Sequence, residues 1–232
     1  MPLNTNHTSG NGALPGAGFD AMRQAMVEQQ IRHRGIVSPR VLEAMRTVPR
    51  HKFVPEALQA EAYSDKPLPI GEGQTISQPY VVAAMTAVLE LTGSERVLEV
   101  GTGCGYQAAI LTRLAGEVYS IESRAALADA ARARLEGLGY SNVRIRAGDG
   151  TLGWPEAAPL DRILVTAAAP SVPPPLLDQL AEGGQLVIPV GDADRQILRR
   201  IFKHGGSFIE SSLFDCRFVP LVGRFGWPDR AP

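Results

Sequence analysis

The chain has 232 residues, of which 44% are hydrophobic and 20% charged, and its formal net charge is -1. This near-neutral balance provides no basic field for nucleic acid, and two cysteines cannot form the disulfide framework of a small secreted protein. No apolar run reaches membrane-spanning length and no signal peptide is recognisable, so we expect a cytoplasmic protein that binds neither nucleic acid nor membrane. The four histidines are scattered and predict no metal site.

The first 70 residues differ in character from the rest of the chain. Residues 1–18 are rich in Gly, Asn, Thr and Pro, and we expect them to form a disordered tail. Over residues 19–70, apolar side chains at helical spacing and intervening prolines predict a small helical N-terminal segment. Ser38 precedes Pro39 at the start of one such helix, where we expect it to be the N-cap. The remaining residues, 71–232, are predicted to form the main domain.

From residue 94 onward, short hydrophobic strands alternate with helical segments. The predicted strands are RVLEVGTG, EVYSIE, VRIRAGDG, DRILVTAAAP and QLVIPVG, and PPPLLDQLAEGG is predicted to be a helix that ends at Gly183–Gly184. This alternation predicts an α/β fold with a doubly wound, mostly parallel Rossmann-like sheet. QILRRIFK and FIESSLFDCRFVPLV, joined by HGGS, predict a C-terminal antiparallel hairpin.

A glycine-rich loop lies between the first of these strands and the next helix, with glycines at positions 101, 103 and 105. Glycine allows a sharp backbone turn and the close approach of a ligand. The loop follows the carboxyl end of a strand, which is the usual binding crevice of such sheets. Glu122 ends the next strand about 20 residues later, where an acidic side chain typically binds ribose hydroxyls. The pattern predicts a site for a ribose-containing ligand.

The spacing of the glycines distinguishes between candidate ligands. The dinucleotide fingerprint G-x-G-x-x-G requires glycine at its sixth position, where this chain has Tyr106, a side chain expected to crowd a pyrophosphate. No phosphate-binding lysine follows, which excludes a P-loop. The form G-x-G-x-G is instead typical of S-adenosylmethionine, which has no phosphate. Asp149, in the sequence GDG after the third strand, is expected to accept a hydrogen bond from the adenine amino group, although such a sequence is also an ordinary turn.

Several longer segments resemble the protein-L-isoaspartate O-methyltransferase family. They are VPRHKFVPE (Val48–Glu56), LPIGEGQTISQPYVVAAM (Leu68–Met85), VLEVGTGCGYQAAIL (Val97–Leu111), GDGTLGWPEAAPLDRILVTAAAP (Gly148–Pro170), LLDQLAEGGQLVIPVG (Leu176–Gly191) and RFVPLVG (Arg217–Gly223). EVGTGCG is shared by many methyltransferases and indicates only the cofactor, whereas GQTISQP is far more specific. The resemblance implies that residues 71–232 form a methyltransferase domain with the reversed C-terminal hairpin.

The resemblance also implies a reaction. The methyl group of S-adenosylmethionine is expected to pass to the α-carboxylate of L-isoaspartyl residues in damaged proteins and peptides, leaving S-adenosylhomocysteine. The methyl ester then re-forms a succinimide, which can open to normal aspartate. Because a carboxylate is already a nucleophile at neutral pH, no general base is expected. Catalysis is expected to depend on positioning and on the exclusion of water.

Site residues follow from the same resemblance. Ser77 matches the family's active-site serine and is expected to hydrogen-bond the substrate carboxylate. Phe218, Val219 and Pro220 are expected to offer backbone groups to the peptide. The implied cofactor site consists of Gln74, Thr75, Ile76, Gly101, Thr102, Gly103, Cys104, Glu122, Asp149 and Gly150. Cys104 lies at a helix N-terminus, which can lower a thiol pKa, but no base is near it in sequence, so we interpret it as a small lining residue.

Other interpretations remain open at this stage. Ser77 also fits the N-cap of the helix that begins at Pro79, a role compatible with catalysis. A base methyltransferase shares the fold and cofactor, but TAAAP replaces the Asn/Asp-Pro-Pro-Tyr/Phe tetrapeptide and no Pro-Cys nucleophile occurs. A non-catalytic adenosylmethionine-binding protein is disfavoured because the loop and Ser77 are both intact. A nicotinamide dehydrogenase is disfavoured by the displaced third glycine.

Overall fold

The computed structural model describes residues 17–229, so the predicted tail lies outside the described residues apart from its last two, which already belong to a helix. The helices are α1 (Ala17–Ala25), α2 (Pro39–Thr47), α3 (Pro79–Val88), α4 (Tyr106–Thr112), α5 (Ala125–Gly137) and α6 (Pro174–Asp178). A π-helical turn spans Met26–Ile31, and short 3₁₀ helices span Arg32–Arg34, Arg50–Phe53, Glu56–Glu61, Gly150–Leu152 and Pro155–Ala157. The strands are β1 (Leu68–Gly71), β2 (Gln74–Ile76), β3 (Arg96–Val100), β4 (Glu117–Glu122), β5 (Val143–Ala147), β6 (Leu160–Val165), β7 (Leu180–Gly191), β8 (Gln196–His204) and β9 (Ser207–Cys216).

Strands β3 to β9 form one seven-stranded sheet in the order β5-β4-β3-β6-β7-β8-β9. The first five strands of that order pair in parallel, and β8 and β9 add antiparallel. The predicted doubly wound sheet and its C-terminal hairpin are therefore confirmed. The chain runs outward from β3 in one direction through β4 and β5, and from β6 in the other through β7. The carboxyl ends of β3 and β6 thus border the crevice where ligands bind in open α/β sheets.

The N-terminal helices pack on one face of this sheet. Met45 of α2, Phe53, Met85 of α3 and Ile110 of α4 belong to one buried cluster that also contains Val97 of β3. Burying these apolar side chains together removes them from water and joins the N-terminal segment to the sheet. A second cluster covers the other face. The predicted boundary between residues 70 and 71 falls within β1.

The region 68–76, in which no strands were predicted, is a β-hairpin. β1 and β2 pair antiparallel through a turn in which Gly71, Glu72 and Gly73 all have positive φ angles, of 94°, 51° and 67°. Two glycines make this conformation accessible, because it strains residues that carry a Cβ atom. The hairpin carries the polar stretch GEGQTIS toward the crevice.

One helix boundary was predicted wrongly. The helix predicted to end at Gly183–Gly184 ends at Asp178, and β7 already begins at Leu180, whose side chain is buried and whose backbone pairs with Leu160 of β6. Strand pairing and burial, which depend on tertiary structure, outweigh the local helical pattern here. Ser38 occupies the N-cap position of α2, but its side chain makes no capping hydrogen bond.

Candidate active site

Three adjoining cavities lie along the crevice at the ends of β3 and β6. Thr75 of β2 and Thr166, which follows β6, line all three of them. The outer cavity, of about 710 Å³, is bordered by Ser77, α3 and the segment after β9. The loop cavity lies against Gly101, Gly103 and Glu122. The inner cavity lies between the glycine loop and α3.

The glycine loop is held between its neighbouring strands. The Gly101 N–H donates to the carbonyl of Ile121 in β4 over 2.8 Å, and the Thr166 hydroxyl donates to the Gly101 carbonyl over 2.7 Å. Gly101 has a φ of +99°, and a Cβ atom there would lie 2.4 Å from the Thr166 hydroxyl oxygen. Only glycine fits this position, because any Cβ atom would collide with Thr166.

Glu122 fixes the same loop from the end of β4. Its Oε2 accepts a hydrogen bond from the Gly103 N–H over 2.7 Å, and its Oε1 accepts one from the Arg124 N–H over 3.0 Å. The side chain is buried and lines the loop cavity. The predicted ribose-binding carboxylate therefore lies beside the predicted loop and also shapes it.

A series of buried, hydrogen-bonded polar side chains connects the glycine loop to β3 and β4. The Ser120 hydroxyl hydrogen-bonds the carboxyl group of Glu99, and its oxygen lies 2.5 Å from that of Thr102. Burial, together with the negative charge of Glu122, raises the pKa of Glu99 to about 8, so this side chain is mainly protonated at pH 7. Burial likewise raises the pKa of Cys104, which fits the interpretation of that residue as an unreactive part of the inner cavity lining.

Asp149 differs from the other predicted cofactor residues. Its Oδ1 accepts hydrogen bonds from the Thr151 N–H over 2.9 Å and the Thr151 hydroxyl over 2.6 Å, and its Oδ2 accepts one from the Arg224 N–H over 2.7 Å. The neighbouring Gly150, not Asp149, lines the loop cavity. The carboxylate thus joins its own turn to the C-terminal segment, where a Cβ atom on Gly223 would lie 2.1 Å from it.

Ser77 lies at the boundary of the outer and inner cavities. The N-cap of α3 is Gln78, not Ser77, so the alternative capping role is wrong. Among the hydrogen bonds of residues 17–229, the Ser77 side chain takes part in none, whereas its carbonyl accepts one from Arg50 Nη2 over 2.8 Å. Its hydroxyl is therefore available to a ligand, and its backbone is fixed.

The segment after β9 completes the outer cavity. The Gln196 side chain accepts from the Phe218 N–H over 2.6 Å and donates to the Phe218 carbonyl over 3.2 Å. Ala168, after β6, donates to the Val219 carbonyl and accepts from the Leu221 N–H, each over 2.8 Å. The two hydrogen bonds with the Gln196 side chain occupy both backbone groups of Phe218. Within residues 17–229, the Val219 N–H and the Pro220 carbonyl have no such partner.

The structure brings the predicted site residues together, with one exception. Apart from Asp149, every predicted catalytic, cofactor-binding and substrate-binding residue lines at least one cavity of this region. Sequence reasoning missed Thr166, because TAAAP was interpreted as a run of small apolar residues, and Gln196, which belongs to a predicted strand of the C-terminal hairpin. Tyr106 was also misplaced: its side chain is buried against Phe53, with ring centroids 5.5 Å apart, and does not crowd the loop.

Fold and site together define the class: a Rossmann-like methyltransferase that depends on S-adenosylmethionine. The sequence model of the protein-L-isoaspartate(D-aspartate) O-methyltransferase family matches residues 21–226. The chain belongs to that family. Within residues 17–229, no helix combines the length and apolar character required to cross a membrane, and no three His, Cys, Asp or Glu side chains group as metal ligands.

Individual relatives agree with this assignment. A protein-L-isoaspartate O-methyltransferase of Geobacter metallireducens is 59% identical over 90% of this chain and 97% of its own length. A protein-L-isoaspartate O-methyltransferase of Methanoculleus marisnigri is 54% identical over 88% of this chain and 93% of its own length. A solved protein-L-isoaspartate O-methyltransferase has a TM-score of 0.80 at 30% identity, covering 88% of this chain and 67% of its own. Another solved structure is described as a putative protein-L-isoaspartate O-methyltransferase from Plasmodium falciparum in complex with S-adenosyl-L-homocysteine. It has a TM-score of 0.75 at 27% identity and covers 86% of this chain and 98% of its own.

Proposed function

We propose that this protein methylates the α-carboxylate of L-isoaspartyl residues in damaged proteins and peptides, with S-adenosylmethionine as the methyl donor. The methyl ester would re-form a succinimide and so begin repair. The observation that carries the proposal is the position of Ser77, between a large outer cavity and the glycine loop, with a hydroxyl that has no hydrogen-bond partner within residues 17–229. Membership of the family supports the choice of substrate.

The residues around the loop suit an adenosyl ligand. Gly101 and Gly103 line the loop cavity without side chains, and Glu122 presents a carboxylate at the same cavity. Gln74, Thr75 and Ile76 of β2 would cover the ligand from the opposite side, with Thr102, Gly103, Cys104 and Gly150 completing its surroundings. Asp149 would contact the adenine in addition to its three present hydrogen bonds, or would shape that end of the site through the Gly150 turn.

Ser77 would hold the reacting group. Its hydroxyl would donate a hydrogen bond to the substrate carboxylate, and the free N–H groups of the first turn of α3 would add to the attraction. When bound, S-adenosylmethionine supplies a methyl group on a positively charged sulfur, which a carboxylate oxygen can accept without a general base. The chain's contribution is therefore to orient the carboxylate and to exclude water.

The peptide backbone would bind along the segment after β9. Of the three residues predicted there, Phe218 has both backbone groups engaged by Gln196, so it would contribute mainly its ring to the outer cavity. Val219 offers its N–H and Pro220 its carbonyl. An extended peptide can pair with such groups whatever its side chains are. This mode would suit an enzyme that acts on many damaged proteins.

The test is methyl incorporation into an isoaspartyl peptide and into its aspartyl twin of the same sequence. We expect labelling of the isoaspartyl peptide alone, since the two differ in which carboxylate is free. Equal labelling of both, or none of either by protein that binds S-adenosylhomocysteine, would refute the proposed substrate. A parallel assay with tRNA tests the prediction that nucleic acid is not a partner. Fractionation of the source cells, with detection by antibody, tests the proposed cytoplasmic location.

A further inference from the structure

Arg50 lies in VPRHKFVPE, a segment that lines none of the three cavities. Its side chain is fully buried, with Nε donating to the Ala62 carbonyl over 2.7 Å and Nη2 to the Ser77 carbonyl over 2.8 Å. Burial lowers the pKa of this guanidinium, yet arginine keeps its proton in proteins. The core therefore holds a positive charge against the backbone of Ser77, a residue that lines the outer cavity.

No carboxylate of residues 17–229 pairs with that charge. Within residues 17–229, Arg50 takes part in none of the ion pairs, and its Nη1 is buried without a hydrogen-bond partner. The guanidinium carbon lies 4.9 Å from the centroid of the Tyr106 ring, a contact that offsets only part of the cost of removing the charge from water. An unpaired buried cation is unfavourable for stability alone, so a role in binding an anion explains its presence better.

We propose that Arg50 is a positioning residue for the reaction: it fixes the backbone of Ser77 and supplies the positive charge that draws an ionised substrate carboxylate to the Ser77 hydroxyl. The charge acts through the protein interior, where electrostatic attraction is weakened less than in water. The inference rests on the proposed function, because only an anionic substrate gains from this charge.

The charge has a definite kinetic consequence. As the methyl group is transferred, the negative charge of the carboxylate disappears, so a nearby cation stabilises the bound substrate at least as much as the transition state. Loss of the Arg50 charge should therefore appear mainly as a higher KM for the isoaspartyl peptide, with a smaller change in kcat. Affinity for S-adenosylhomocysteine should be nearly unchanged.

The decisive experiment compares two peptides on each variant by calorimetry, with S-adenosylhomocysteine present. One is the isoaspartyl peptide, and the other carries an α-carboxamide in place of its α-carboxylate. For Arg50→Gln we expect about tenfold weaker binding of the charged peptide and little change for the neutral one. Arg50→Lys, which keeps the charge but not the two-carbonyl contact, should retain most of the preference for the charged peptide.

Arg162→Gln is the matched control. Arg162 also donates to two main-chain carbonyls, those of Leu89 over 2.6 Å and Asp161 over 2.8 Å, but it lines none of the three cavities. We expect it to leave both affinities unchanged. Equal weakening of the two peptides by Arg50→Gln, or no weakening, would overturn the inference.

Two further outcomes have distinct meanings. If Arg50→Gln does not fold, the test depends on Arg50→Lys. If the Arg50→Lys protein does not prefer the charged peptide over the neutral one, the inference is overturned. If the wild-type protein does not distinguish the two peptides, the proposed charge effect is wrong. If the wild-type protein binds the charged peptide but never methylates it, the proposed function fails instead.

Discussion

The hydroxyl of Thr166 donates a hydrogen bond to the carbonyl of Gly101 over 2.7 Å, and this contact joins the end of β6 to the glycine loop that follows β3. Thr166→Val removes the hydroxyl at nearly constant volume and leaves that carbonyl without its side-chain donor. We expect S-adenosylhomocysteine to bind about three- to tenfold more weakly, the range that corresponds to one ordinary hydrogen bond. Calorimetry measures this, and Thr166→Ser, which keeps the donor, is the control. Wild-type affinity in the valine variant would show that the contact does not shape the loop.

Ser77→Ala removes the hydroxyl that faces the substrate without disturbing a hydrogen bond within the described residues. A hydrogen bond to a charged group contributes more than one between neutral groups, so we expect kcat/KM for the isoaspartyl peptide to fall about 10- to 100-fold. Affinity for S-adenosylhomocysteine should remain near that of the wild type. Ser141→Ala, an exposed position far along the chain, is the control. Undiminished turnover by Ser77→Ala would remove this residue from the mechanism.

Asp149→Ala tests an adenine contact and a structural link at once. Three hydrogen bonds to the carboxylate disappear, including the one from the Arg224 N–H. We expect weaker binding of S-adenosylhomocysteine by calorimetry and faster amide exchange in residues 223–227, because that segment loses its attachment. Asp149→Asn keeps two acceptor sites on one oxygen and should have an intermediate effect. Weaker binding without faster exchange would favour a direct adenine contact, whereas unchanged affinity would contradict any role in the site.

The buried acid Glu99 predicts a pH dependence of stability. Its pKa of about 8 in the folded protein lies above the ordinary value of 4.5, so between those values the folded state binds a proton that the unfolded state has released. The contribution to stability is complete below about pH 4.5 and is lost as the pH rises through about 8. Glu99→Gln imitates the neutral acid and should remove this loss, giving a shallower fall of Tm between pH 5 and 8.5.

Thermal unfolding across that range measures the effect, with Glu136→Gln as an exposed control. If wild type and Glu99→Gln have parallel profiles, Glu99 is not held as a neutral acid. The Glu95 carboxylate works in the opposite direction: hydrogen bonds from Thr92 and Gly93 outweigh its burial and lower its pKa to about 2. Its contribution is lost only as the pH falls below about 4.5, outside the window of the Glu99 test.

The local sequence was sufficient to predict the features that depend on short-range interactions. The alternation of β-branched strands with amphipathic helical segments predicted the doubly wound sheet, because that pattern is a short-range periodicity. The glycines at 101, 103 and 105 predicted a ligand loop, because glycine has the backbone freedom that such a loop requires. The stretch around Ser77 indicated the substrate, since few families combine those polar residues. By contrast, the end of α6 depended on burial of Leu180 and its pairing with Leu160, which no local pattern contains.

Only the tertiary structure decided how distant residues share the site. Thr166 stands 65 positions after the loop it holds, and Arg50 stands 27 positions before the serine whose backbone it fixes. Neither belongs to a short motif that predicts such a contact, because a side chain's partners are set by packing between elements. The sequence by itself thus determined which chemistry the chain carries, and folding decided which buried charges and hydroxyls surround the reacting group.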